Sequence, residues 1–317
     1  MKRFTILLLA LVMLAGLMTG CASNNSSVPT EPAQTPVPKD IMDDNVDAMG
    51  NEVTAAAEDD SELTIVSTAP SATEILFALG CGDNIVGVDV SSTYPEETAD
   101  IEKVGDFNGF DIEKVIALNP TVVFAGNGLQ HEDIATLEEA GLNVVAVEAT
   151  YYEDIAKSIT MIGSVVGKEE EAAALNAQIA EAEAAVKEKA AAFTEKPTVY
   201  YVMGIGEYGN WTSGEGSFIN TVIEMAGGVP TTAGTDTEWL EYPVEDLVTA
   251  DPDILLVSSW VAEEDLVAAV GYSDLTAVKE GHYYFISPDI SERPGPRITE
   301  ALETLQGNIE TFLTGES

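Results

Sequence analysis

From Leu63 onward, short apolar runs alternate with segments whose apolar residues recur at helical spacing. "LTIVS" is followed by "SATEILFALG", a helix that Gly80 stops. "IVGV", "TVVFAG" and "NVVAVEA" are further strand candidates, with helices expected over 111–118 and 131–140 between them. Strand–helix alternation of this kind predicts an α/β lobe built on a mainly parallel sheet.

Residues 168–193, "KEEEAAALNAQIAEAEAAVKEKAAAF", contain neither glycine nor proline. Leu175, Ile179, Ala182, Val186, Ala190 and Phe193 form one apolar stripe, so a single long helix is expected. At 1.5 Å per residue it would span about 39 Å, the width of a domain. The stripe lasts less than four heptads, too short for a sustained coiled coil. Pro197 ends it. Alternation then resumes with "TVYYVM", the helix "SFINTVIEMAGG", "DILLVSS" and "YYFIS". The expected fold is two α/β lobes, 62–167 and 197–317, bridged by one long rigid helix over 168–193 and closed by a terminal helix.

The pattern before Leu63 differs. "MKRFTILLLALVMLAGLMTGC" has two basic residues, an apolar run, small residues and then Cys21, which reads as a secretory signal over 1–20. A cysteine directly after Thr19-Gly20 favours lipoprotein processing over an uncleaved anchor, making Cys21 the expected lipidation site. Residues 21–61 are rich in Ser, Asn, Thr, Pro and acids, a composition expected to form a disordered tether with a span of about 35 Å. The place implied is extracytoplasmic, at the cell membrane.

Charge narrows the partners. The chain has 13 Lys and Arg against 55 Asp and Glu, a net charge of −42. Loss of residues 1–20, with Lys2 and Arg3 and no acid, would take this to −44 (11 − 55). Nucleic acid is excluded as a partner because phosphate binding needs a basic footprint. Cys81 is the only other cysteine, and it reads as a small packed residue.

An internal echo relates the lobes. "DIEKVIALNPTVVFA" (111–125) and "PVEDLVTADPDILLV" (243–257) share an acid-bearing helical turn, a proline and an apolar strand. Glu113 matches Glu245 and Pro120 matches Pro252, each pair 132 residues apart. Acids in a helix's first turn also suit its dipole, whatever else they do.

Several stretches imitate catalytic chemistry. "GIGEYG" (204–209) satisfies G-x-G-x-x-G after a strand, but the loop "NWTSGEG" follows where a dinucleotide site needs a helix. His131 and His282 are the only histidines, and neither sits in a nucleophile arrangement or with the cysteines that structural zinc requires. His282 reads as a turn residue before an edge strand. His131 starts a helix and would be a metal or haem ligand only if its loop lined a cleft. No enzyme, cofactor or metal site is expected.

Together "IVSTAPSATEILFALGCGDNIVGVD", "YPEE", "KVGDF…DIEKVIALNPTVVFA" and "ERPGPRITEALETL" resemble the substrate-binding proteins of ABC importers for cobalamin, haem and iron–siderophores. The resemblance covers 62–314 and implies two lobes joined by a rigid helix, with a ligand in the cleft between them. "WTSGEGSFINTVIEMAGG" and "SERPGPR" look most like the cobalamin-binding members, which hold the corrin between aromatic side chains. Phe107, Trp211 and Trp239 fall at or near such positions, as do Ser91 and Tyr94; Phe107 and Ser91 stand where enterobacterial members have a larger Trp and Tyr. The resemblance further implies that Asp289 and Arg293 contact the ligand's polar groups, and that Glu113 and Glu245 dock onto arginines of the permease. The implied protein is a monomer with two partners, a small-molecule ligand and an ABC importer permease with its ATPase. Haem or an iron–siderophore is the alternative ligand, and a metal-dependent enzyme or chelatase on the same fold the remote alternative.

Arg293 and Arg297 are the only arginines after Arg3. Pro294 and Pro296 fix φ between them, so Arg293 lies in a rigid loop from which a planar guanidinium can be aimed. Arg297 falls in the first turn of the terminal helix and is expected to pin that helix or offset acidic surface.

Overall fold

The computed structural model describes residues 46–56, 63–106, 108–126, 131–147, 149, 151–206 and 209–315. The expected signal, Cys21 and Phe107 lie outside them.

The first lobe runs β1 (Ile65–Ser67), α1 (Pro70–Ala78), β2 (Ile85–Val88), β3 (Glu102–Lys103), β4 (Gly105–Asp106), β5 (Gly109–Phe110), α2 (Ile112–Leu118), β6 (Val122–Ala125), α3 (His131–Glu139), β7 (Val144–Ala146) and α4 (Asp154–Val166). Its sheet has the order β3-β2-β1-β6-β7, every pairing parallel; β4 and β5 form a separate antiparallel pair. The central strands are buried throughout, as a sheet covered on both faces requires.

Then comes α5 (Glu169–Ala191), within the span expected for the bridge. Ala172, Ile179, Val186 and Ala190 are its buried residues, with Leu175 and Phe193 packed partly against the core. The second lobe runs β8 (Thr198–Val202), β9 (Trp211–Ser213), α6 (Phe218–Met225), β10 (Val229–Pro230), β11 (Trp239–Glu241), α7 (Val244–Ala250), β12 (Ile254–Ser258), α8 (Glu263–Ala268), α9 (Thr276–Glu280), β13 (Tyr283–Ile286), α10 (Pro288–Ser291) and α11 (Ile298–Thr314). Its parallel sheet has the order β10-β8-β12-β13, and β9 pairs antiparallel with β11 in a ribbon of its own. His282 precedes β13, an edge strand, as its position in sequence suggests.

Helix α4 is not among the elements expected above. Gly163 resembles a breaker in its sequence, but a Cβ there would stand 2.5 Å from the Ala172 Cβ. The glycine is what lets α4 and α5 cross closely, and Asn176 of α5 donates to the Ala156 carbonyl and the Thr160 hydroxyl of α4 at 3.1 and 3.0 Å. Farther along α5, the carbonyl of Val186 accepts from Gln306 of α11 at 2.6 Å. One hydrophobic core therefore runs from the first sheet through α5 to α6 and α11, while a smaller cluster lies on the other side of the second sheet.

Residues 46–56 belong to the stretch read as tether, and in the structure they lie on the first lobe. Ala48 N–H donates to the Ala146 carbonyl, Asp47 accepts from Ala146 N–H, and Ala56 N–H donates to the Val165 carbonyl. They cover the outer edge of β7, which would otherwise present unpaired backbone groups.

The sequence echo is a structural one. Helices α2 and α7 each have seven residues and end in a left-handed residue, Asn119 and Asp251, the only described non-glycine residues with positive φ. Buried Pro120 and Pro252 follow, and each strand then starts beside a side-chain staple. Thr64 N–H donates to Thr121 Oγ1 at 3.0 Å in one lobe, and Thr198 N–H to Asp253 Oδ2 at 2.7 Å in the other.

Candidate functional site between the lobes

Ligands of open parallel sheets bind beyond the carboxyl ends of the strands. Here those ends deliver one residue group from each sheet. From the first, β1 leads into α1 with Glu74, and β2 into the loop of Asp89, Ser91, Thr93 and Tyr94. From the second, β8 leads into the β9–β11 ribbon with both tryptophans, and β13 into the loop of Asp289, Arg293 and Arg297.

The two groups meet in an ion-pair cluster. Glu74, its side chain only 1% exposed, accepts from Arg297 Nε at 2.9 Å and from Arg297 Nη2 at 2.6 Å. Arg297 also donates to the Asp289 carbonyl at 3.2 Å, and its guanidinium carbon lies 4.0 Å from the centroid of the Tyr94 ring. Two aligned hydrogen bonds and an aromatic face use the planar fork as lysine could not. The hydrogen bonds to Glu74 raise the pKa of the Arg297 guanidinium, outweighing the effect of burial. Arg297 therefore pins the terminal helix by gripping the opposite lobe.

Arg293 is less fully engaged. Its Nη2 lies 2.7 Å from Asp289 Oδ1, while its contacts with Glu74 Oε1 and Thr93 Oγ1 are 3.4 Å. Beneath it, burial pushes the Asp89 carboxyl up, although Ser92 Oγ and Ser91 N–H donate to it and Arg293 opposes the shift. A buried hydroxyl chain from Ser92 to Thr73 (2.9 Å) and on to Ser67 (2.8 Å) locks the Asp89 loop to α1.

The tryptophans stand on the other wall. Trp239 pairs with Ser213 and Trp211 with Glu241, so all four share one face of the ribbon. Trp211 is 41% exposed; Trp239 is half-buried with its ring edge-to-face with Phe218, 6.2 Å between centroids. Gly214 fixes the ribbon's mouth, since a Cβ there would lie 1.9 Å from the Thr237 carbonyl oxygen. The ribbon joins the arginine loop through Tyr201, whose carbonyl accepts from Thr212 at 2.6 Å and whose hydroxyl donates to Glu292 at 2.6 Å. A second bridge crosses between lobes where the Tyr151 hydroxyl donates to Glu238; burial pushes that carboxyl up despite the bond.

Of the residues expected at the ligand, the structure brings Tyr94, Asp289 and Arg293 into one cluster with Ser91 beside it, and sets Trp211 and Trp239 on a common face. Phe107 is outside the described residues, as is the side chain of His131. His282 stacks edge-on to Phe312 at 4.9 Å, at the strand end remote from this cluster. Among the described residues no group of three or more His, Cys, Asp or Glu could hold a metal ion. Sequence reasoning passed over Glu74, Thr93, Tyr151 and Glu238. Glu74 had a signal: it is the one charged residue in "PSATEILFA", so its burial demanded a cation.

A periplasmic binding protein model matches residues 65–290, the first lobe, the bridging helix and the second lobe as far as α10. The chain belongs to the periplasmic binding protein family. This receptor chain is 33% identical over 314 residues to an uncharacterized ABC transporter substrate-binding lipoprotein of Bacillus subtilis, covering 96% of each. It is 28% identical over 239 residues to a vitamin B12-binding protein of Vibrio parahaemolyticus, covering 75% of this chain and 86% of that one. A periplasmic heme-binding protein from Roseiflexus has the same fold, with a TM-score of 0.73 and 27% identity over 80% of this chain and 99% of that one. The family supplies ABC transporters with their substrate-binding component, so this periplasmic binding protein takes a small molecule to a permease and is not an enzyme.

Proposed function

We propose that this is a lipid-anchored, monomeric receptor on the outer side of the cell membrane that captures cobalamin or a related corrinoid between its lobes. The observation that carries the ligand class is the ribbon face of Trp211 and Trp239, with Arg293 in the loop that follows β13 and α10. A large macrocycle offers flat apolar surface to the rings and amide or carboxylate oxygens to the guanidinium. Arg293 has one short ion pair, to Asp289, leaving donors of its fork for a ligand. Ser91 and Tyr94 complete the first lobe's side, and Phe107 is assigned to the ligand from its place in the sequence alone. The relative named as vitamin B12-binding supports the same ligand class, and the lipoprotein relative supports lipidation at Cys21. Delivery follows when Glu113 and Glu245, exposed in the first turns of α2 and α7, meet arginines of the permease.

Titration of the purified receptor with cyanocobalamin, hemin and a ferric siderophore in parallel tests the reading. Cyanocobalamin is expected to quench tryptophan fluorescence, and Arg293→Ala to weaken its binding by about ten- to a hundredfold. Hemin binding with a Soret band and no response to cyanocobalamin would replace the corrinoid by haem, the ligand named for the Roseiflexus neighbour.

A further inference from the structure

The duplicated helices repeat more than a glutamate. Ile116 lies three residues after Glu113, and Val248 three residues after Glu245, so in each helix the two share a face. Both aliphatic residues face outward, Ile116 at 43% exposure and Val248 at 36%, although Val115 and Leu247 beside them are fully buried. The four positions match across the same 132-residue offset as the left-handed caps Asn119 and Asp251. An isolated exposed aliphatic residue is ordinary. Here two stand at equivalent points of two structurally duplicated helices, each next to an equivalent acid.

The surrounding charges leave the glutamates free for a partner. Lys114, the nearest cation in sequence, turns away to Glu102 at 2.8 Å and to the Lys103 carbonyl at 2.8 Å. Neither Glu113 nor Glu245 makes an ion pair with another described residue. On the second lobe the apolar patch is wider. Gly271 lies against Val244 and Val248, and its neighbour Val270 is 89% exposed.

We propose that Ile116 and Val248 are matched apolar anchors that seat beside Glu113 and Glu245 in two like grooves of the permease. Each lobe then docks through one charged and one apolar contact. The charged contact steers and orients, and the apolar one slows dissociation once water is expelled. The occupant is the permease because a partner reading both helices must offer the same receiving surface twice, basic and apolar together. The proposal rests on the glutamate docking reading and extends it.

The test places a photoreactive benzoylphenylalanine at 116, 248 or, as a control, at exposed Val229, in the full chain made in its own cells. Adducts from 116 and 248 to the permease subunit, identified by mass spectrometry and absent from 229, are expected. In detergent, Ile116→Ser/Val248→Ser is expected to bind the purified transporter about ten- to a hundredfold more weakly, with its thermal unfolding unchanged. Unaltered transporter binding by that double variant, or no permease adduct from 116 and 248, would overturn the anchors. If Glu113→Gln/Glu245→Gln abolishes binding in the same assay, the glutamate docking reading stands without them; if that variant also binds normally, the docking reading itself fails. Adducts joining two copies of the receptor would assign the face to self-association and likewise overturn the proposal.

Discussion

Replacing Arg297 by alanine puts the inter-lobe pin to a quantitative test. The change leaves the Glu74 carboxylate with a side chain 1% exposed and only the longer 3.4 Å contact to Arg293. Breaking a buried ion pair from one side costs about 3–5 kcal/mol, and the surviving Arg293 contact places this case near the lower end, about 3 kcal/mol. Glu74→Gln is milder. Arg297 keeps an amide oxygen as acceptor and some access to water, so about 1–2 kcal/mol is expected. Glu74→Leu/Arg297→Met removes both charges at similar volume, and such replacements are often neutral or stabilising. The double variant should therefore be more stable than Arg297→Ala alone. Urea unfolding of the four proteins, followed by circular dichroism, measures the series, and the difference between Arg297→Ala and wild type should change little with salt because the pair is buried. A loss under about 1 kcal/mol for Arg297→Ala would show that solvent reaches Glu74 and that the lobes are not pinned there.

The partial burial of Glu238 predicts a pH dependence. The folded-state pKa of Glu238 is raised above the ordinary 4.5, so the folded chain binds the proton more tightly. Its contribution is full below pH 4.5 and is lost as the pH rises through the raised value. Glu238→Gln should therefore make the slope of stability against pH just above 4.5 more positive than in the wild type; an unchanged slope would count against the desolvation of this carboxyl. Gly163→Ala places a methyl group 2.5 Å from the Ala172 Cβ and should cost about 1–3 kcal/mol in the same urea assay by forcing α4 off α5.

Elements with their own punctuation were legible in the sequence. The long bridge announced itself by an unbroken apolar stripe, and Ile179, Val186 and Ala190 lie buried where that stripe put them. Helix α4 did not, because Gly163 serves a helix crossing that no local pattern encodes. Residues 46–56 carry the polar composition of the stretch before them, and they are held by backbone bonds to β7 and α4 that composition cannot reveal. In the site, the loop position of Arg293 was readable from the two prolines that follow it. The role of Arg297 was only half readable: that it anchors a helix follows from position, but its partner lies 223 residues away in sequence, in the other lobe. Long-range pairing of charges is the information a single chain carries least openly, unless a lone acid in an apolar helix is taken as a demand for a cation.

The uninterrupted apolar interior through α5 makes the two lobes one cooperative body. Neither half can melt while the other stays intact without exposing the flank of the helix that both lean on. Any molecule that favours the folded form therefore protects the whole receptor at once, and heat should register as a single transition whose midpoint climbs with ligand concentration.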